Sequence, residues 1–282
     1  SVNTVFAQLN IKLADGGTSA TGVRDAAILA GMPKNTVGLG INMNNILGTA
    51  SPHVIDMANA YATIAAQGQK ATPYLISKVT SADRSIDYKV KKQLSPAFDQ
   101  KVTADVTDAM THVVTEGTGS GARSLGRPAA GKTGTTTENK AVWFDGFTPQ
   151  LAAAVGIYQD DGTKTIKVKN RGLGEVTGGT YPVQIWTAFM KGALQGQRVI
   201  DFPPRAGVER LLGGGLARGA ARAAGVLHED GRGNADGCDG VAIGLAHLRG
   251  VENSHQAEVA RSVLQRRCCE ERMAATENVN GR

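Results

Sequence analysis

Along residues 1–13 (SVNTVFAQLNIKL) the apolar positions are Val2, Val5, Phe6, Leu9 and Leu13, the three-and-four spacing of one helix face. Ser1 or Asn3 can cap its start. Residues 19–32 predict a second helix, stopped by Gly31 and Pro33. A third, over 51–69, opens on Ser-Pro, carries Ile55, Ala58, Ala62 and Ala65 at helical intervals, and ends at Gly68. A fourth is expected over 102–117, and a fifth over 182–196 with Ile185, Phe189 and Leu194 on one side. Alternation over 73–81 predicts a strand. The Gly-rich stretch 118–131 reads as a loop. After it come three short β-type runs, 132–138, 141–147 and 151–159, joined by Asn-Lys and Thr-Pro-Gln. Those joints have hairpin spacing, so three consecutive antiparallel strands are expected.

The pattern changes near residue 205. All 14 Lys and all 13 aromatic residues lie in 1–205; the last 77 residues have neither, are rich in Ala, Gly and Arg, and hold Cys238, Cys268 and Cys269. A segment without Phe, Tyr or Trp builds a core poorly, because aromatics bury the largest areas. Two readings of this tail stand: a natural, partly disordered extension, or translation of GC-rich coding sequence in a shifted frame. The abruptness of the change favours the second. No C-x-x-C pair exists, so the thiols do not suggest a zinc site. The domain division expected is 1–204 and 205–282.

Charge follows the same seam. Residues 1–205 hold 21 Lys and Arg against 15 Asp and Glu, and the tail holds ten of each. The excess is spread out, without the clustered basic stripe of a nucleic-acid binder. The longest apolar run near the strands, 151–158, is far short of the roughly 20 residues of a membrane span, and no signal peptide is visible. The chain opens at Ser1 rather than Met, and a fragment or processed product is expected.

Candidate chemistry centres on GRPAAGKTGTTTENKAVWFDGF, residues 126–147. Gly126–Thr133 fits G-x-x-x-x-G-K-[ST], the phosphate loop of an NTPase, and Lys132-Thr133-Gly134 is also a K-T-G triplet. A phosphate loop needs a helix starting at the lysine, so that amide N–H groups and the helix dipole meet the phosphates. Here Thr133, Gly134 and three further threonines follow, poor residues for a first helical turn. A strand is expected instead, which places Lys132 and Gly134 on one face and Thr133 and Thr135 on the other. Gly134 would let a ligand backbone approach closely, and an edge strand offers unpaired backbone groups to an extended peptide.

The context of the triplet carries a resemblance. TEGTGSGARSLGRPAAGKTGTT, AVWFDGFTPQLAAAVGIY and GGTYPVQIWTAFM resemble the transpeptidase domain of penicillin-binding proteins. SVNTVFAQL resembles that family's S-x-N helix, and LGTASPHVIDMANAYATIAAQG the helix between the two motifs. The match runs in order from residue 1 to about 204 and is closest to the bifunctional class that also carries a glycosyltransferase. It implies an α/β fold, an antiparallel sheet flanked by helices as in serine β-lactamases, incomplete at its N-terminus. It also implies peptidoglycan cross-linking by a DD-transpeptidase, without metal or cofactor. The partners would be a D-Ala-D-Ala stem peptide and β-lactams, the place the outer face of the bacterial membrane. The membrane would be reached only through an N-terminal anchor not present here.

In such enzymes the serine of an S-x-x-K motif attacks the D-Ala-D-Ala bond and an amine then takes the acyl group. By resemblance, Ser1 would relay a proton, Asn3 would hold the donor amide, and Lys132 would supply positive charge. Thr135, with Thr133, would bind the substrate carboxylate beside the open backbone of Gly134, and the Thr135 N–H would serve the oxyanion. No serine of this chain has lysine three positions later. The chain as given is therefore expected to be catalytically incomplete. A non-catalytic remnant or wall-peptide-binding module remains the alternative. Trp143 and Phe144 read as packing residues, His53 and His112 as structural, and Gly178-Gly179 as a turn before the last helix.

Overall fold

A computed structural model describes residues 2–13, 21–159, 164–166, 175–205 and 241–247. Five α-helices are present among them: α1 (Val2–Lys12), α2 (Gly22–Ala30), α3 (Val54–Ala65), α4 (Gln100–Thr115) and α5 (Tyr181–Ala193). The strands are β1 (Gln69–Ala71), β2 (Lys78–Thr80), β3 (Asp87–Lys89), β4 (Leu94–Pro96), β5 (Ala130–Thr135), β6 (Ala141–Phe147), β7 (Leu151–Tyr158) and β8 (Val241–His247). Strands β5, β6, β7 and β8 form one antiparallel sheet in that order, and β1–β4 and β2–β3 form two small ribbons. Of the Ala/Gly/Arg-rich tail, β8 is the described part. No helix among the described residues is long and apolar enough to cross a membrane.

Helices cover both faces of the main sheet, which is why β6 and β7 read as nearly continuous apolar runs rather than as alternation. On one face Phe144, Ala153 and Val155 pack against Val183, Trp186, Phe189 and Met190 of α5. Trp186 is fully buried, meets Phe144 edge to face at 5.2 Å, and donates its indole N–H to the carbonyls of Gly146 (3.3 Å) and Ala153 (3.1 Å). On the other face Ala130, Phe147, Ala152 and Ala154 lie under Val54, Ala58 and Ala62 of α3. Alanine on both sides of that contact lets the helix sit close to the sheet.

The helix ends follow capping chemistry. Asp99 accepts the Lys101 N–H at 2.7 Å and starts α4. Gly31 closes α2 with its φ at 125°. Helix α3 begins after His53, one turn later than the Ser-Pro signal, because Ser51 is engaged in a bridge with Val37.

Three expectations are modified. The strand expected over 73–81 forms only at Lys78–Thr80; Leu75 is fully exposed and 74–76 have no sheet to join. The loop 118–131 contains a 3-10 turn, Ser120–Leu125, whose Ala122 and Leu125 are buried against α5. The apolar stripe of α1 faces outward, with Phe6 at 44% and Leu13 at 71% exposure. That helix is held instead by a buried polar residue. Asn10 accepts the Val23 N–H at 2.8 Å and donates to the Asn42 carbonyl at 3.3 Å.

Candidate active site

Strand β5 is the outer strand of the sheet, and its hydrogen-bond phase is set by the turn that follows. Thr136 donates its N–H to the Ala141 carbonyl at 3.0 Å. In an antiparallel ladder alternate residues turn their backbone groups to the neighbour. Gly134, Lys132 and Ala130 therefore face β6, while Thr135, Thr133 and Gly131 turn their N–H and C=O groups outward, to the edge. The strand runs unbroken through Lys132–Thr135, so no helix begins at the lysine and the phosphate-loop geometry is absent.

Side chains divide as the period of two requires. Lys132 lies on the α3 face. Its ammonium donates to the Thr133 carbonyl at 3.0 Å, at the strand's outer edge. The residue is exposed overall, yet the protein around the ammonium desolvates it enough to hold its pKa below the ordinary lysine value. Thr133 and Thr135 lie on the α5 face. The Thr133 hydroxyl is 2.7 Å from that of Thr118. The Thr135 hydroxyl accepts the Gly178 N–H at 3.0 Å. Gly134 belongs to the Lys132 face, where an added Cβ would press on the Trp143 side chain at 3.3 Å.

The turn before α5 is packed onto this strand. A Cβ on Gly178 would lie 2.6 Å from the Gly134 carbonyl oxygen and 2.5 Å from that of Trp143. A Cβ on Gly179 would lie 2.5 Å from the Thr118 carbonyl oxygen. The double glycine thus lets the 177–179 turn touch backbone directly. The β5–β6 connection is also pinned. Glu138 and Asn139 both have positive φ (61° and 51°), and Asn139 donates to the Glu175 carboxylate at 2.7 Å.

Across the ladder from Lys132 stands Asp145, which is 5% exposed and has one carboxyl oxygen without a hydrogen-bond partner. Burial pushes its carboxyl up to about 8. Tyr61 of α3 is pushed up as well, first by burial and then by the charge of Asp145.

The structure therefore brings Lys132, Thr133, Gly134 and Thr135 together on one edge strand. Asn3 is placed on α1, exposed, and no hydrogen bond or ion pair joins it to β5 among the described residues. Ser1 lies outside the described residues. Sequence reasoning missed Thr118, for which the chain carries no signal, and Asp145, whose signal was a lone acid inside an apolar strand. Gly178-Gly179 was read as a turn, and the structure gives it contact with the site strand. Trp143 stacks on Tyr158 at 6.5 Å and Phe144 is core, as expected. His53 ends the loop before α3, and the His112 ring meets the Asp108 carbonyl at 2.8 Å.

The family model of the penicillin binding protein transpeptidase domain matches residues 17–177, more than half of the chain. Penicillin-binding protein 1A of Mycolicibacterium smegmatis is 34% identical over 218 residues, covering 72% of this chain and 27% of that protein. Penicillin-binding protein 2D of Bacillus subtilis is 36% identical over 170 residues, covering 57% of this chain and 23% of that one. The structure of PonA1 from Mycobacterium tuberculosis in complex with penicillin V aligns with a TM-score of 0.58 at 31% identity, covering 70% of this chain and 55% of that one. The chain spans about a quarter of the length of these curated relatives.

Proposed function

The chain belongs to the penicillin-binding protein transpeptidase domain family, and on that premise we propose that β5 forms the substrate-holding edge of a peptidoglycan DD-transpeptidase site. The observation that carries this reading is the phase of β5. Its outward groups, the Thr133 carbonyl and the Thr135 N–H, share the edge with the Lys132 ammonium. An extended D-Ala-D-Ala peptide would add there as a further strand. Its terminal carboxylate would meet Lys132 and the hydroxyls of Thr135 and Thr133. The scissile carbonyl oxygen would develop its charge against the Thr135 N–H, and such a donor lowers a barrier by roughly 3–4 kcal/mol. A β-lactam carries an equivalent carboxylate and would occupy the same place. Ser1 and Asn3 would come to this edge from α1, Ser1 relaying a proton to the leaving amine and Asn3 holding the donor amide. The reaction would take place on the outer side of the bacterial membrane, where the wall peptide is.

Acyl transfer breaks the D-Ala-D-Ala bond by attack of a serine oxygen, expels D-alanine, and passes the acyl group to an amine. That serine would belong to S-x-x-K, which these 282 residues do not contain. The chain alone would bind without acylating, which also favours a second reading, a module that holds wall peptide. We assign the working domain to 1–204 and regard 205–282 as a tail of different composition, of which β8 pairs with β7. Nucleotide sequence showing ordinary codon use in one frame across codon 205 would exclude the shifted-frame origin. The acylation claim is tested by intact mass after incubation of the folded chain with excess penicillin V. No adduct is expected. One stoichiometric adduct would show that a residue of this chain serves as nucleophile and overturn the assignment.

A further inference from the structure

Asp145 has no part in the chemistry above, and its placement is costly. It is the one charged side chain of β6, it is buried, and one of its oxygens has no partner. A buried carboxylate so placed is strongly disfavoured unless it is neutralised or paired. Its register partner is Lys132, so both side chains leave the same face of the sheet with Cβ atoms about 5 Å apart. Even so, the Lys132 ammonium rests on the Thr133 carbonyl, and no ion pair joins the two side chains among the described residues. Tyr61 of α3 is titratable and lies close enough to feel the charge of Asp145. On β7 its partner is Ala154, which brings no charge.

We propose that Asp145 is a positioning residue for Lys132. Holding its proton, it leaves the ammonium at the strand edge for a ligand carboxylate; losing that proton to solvent, it draws the ammonium inward into a Lys132–Asp145 ion pair. The proposal rests on the reading of β5 as a carboxylate-binding edge. A neutral acid across from the lysine is inert, whereas an ionised one competes with the ligand for the same cation. The buried carboxyl, pushed up to about 8, changes state just above neutrality. Tyr61, raised above the ordinary tyrosine range, stays neutral through that interval and contributes no charge.

The test is a pH titration of the whole chain by NMR, following the Asp145 carboxyl carbon and the Lys132 Cε and Nζ from about pH 5 to about pH 10. The expected result is an Asp145 step near pH 8, mirrored at the same pH by the Lys132 signals and removed from Lys132 by Asp145→Asn. Penicillin V is the ligand probe. Its affinity should fall about tenfold from neutral pH to about pH 9 in the parent chain, and stay level in Asp145→Asn. An Asp145 carboxyl titrating below about pH 5, or Lys132 signals that ignore the step, overturns the proposal whatever penicillin V does. The mirrored step without penicillin V binding at any pH upholds the coupling and overturns the ligand reading alone. The parent titration needs no variant, so a poorly folding substitution leaves the test standing.

Discussion

Substituting Gly178 by alanine places a carbon 2.5 Å from the Trp143 carbonyl oxygen, 2.6 Å from the Gly134 carbonyl oxygen and 2.9 Å from the Gly134 nitrogen. All three are backbone atoms of the β5–β6 ladder, so no flexible side chain can yield. Either the 177–179 turn lifts or β5 shifts. Forcing a methyl group into a packed site costs about 1–3 kcal/mol. Lifting the turn also loses the Gly178 N–H bond to the Thr135 hydroxyl, worth about 1 kcal/mol. The expected loss is therefore about 2–4 kcal/mol, roughly 5–15 °C in Tm for a unit of this size. Thermal unfolding followed by tryptophan fluorescence reads it, since Trp186 is buried beside the affected ladder. The control is Gly40→Ala, where nothing lies within 4 Å, and a change within about 0.5 kcal/mol is expected. The Thr135 amide resonance should move in Gly178→Ala and stay put in the control. If the two variants unfold alike, the turn does not press on β5 and its assignment as a support of the site fails.

Trp186→Phe keeps a ring against Phe144 but withdraws the donor shared by Gly146 and Ala153. A loss of about 1–2 kcal/mol in urea unfolding is expected, and no loss would mean those carbonyls are satisfied without it. Asp99→Ala removes the α4 cap and should cost about 1 kcal/mol, largely restored by Asp99→Asn. Stability should also fall as pH rises from about 4 to about 8. The Asp145 carboxyl keeps its proton in the folded state up to about 8, whereas the unfolded chain loses it near 4. Between those values the folded state binds more protons, so each pH unit costs up to about 1.4 kcal/mol. Chemical denaturation across that range should show the slope in the parent chain and lose it in Asp145→Asn.

Three strands of the main sheet and the helices against it were legible from their patterns, whereas β8 was not, since it lies in the tail where no strand was expected. The three β-type runs at 132–138, 141–147 and 151–159 gave β5, β6 and β7, and the spacing of Ile185, Phe189 and Leu194 gave α5. Strands β1, β3 and β4 were not legible, since three residues of uniform burial carry no alternation to read. The α1 stripe misled for a different reason: periodicity shows which residues share a face, not whether that face meets anything. Asn10, which ties α1 to α2 by a side-chain acceptor, left no mark in a hydrophobic pattern. The K-T-G strand was found from its motif. Thr118 and Gly178 reach that strand only through tertiary contact, from loops 15 and 43 residues away from their partners.

Backbone-amide NMR of this chain titrated with penicillin V tests the central claim, that the outer edge of β5 holds the ligand. The account predicts reversible shifts centred on Thr133, Gly134, Thr135 and Gly178, lost in Lys132→Ala while the fold is kept. Shifts centred elsewhere, or none at these residues at millimolar penicillin V, would contradict it.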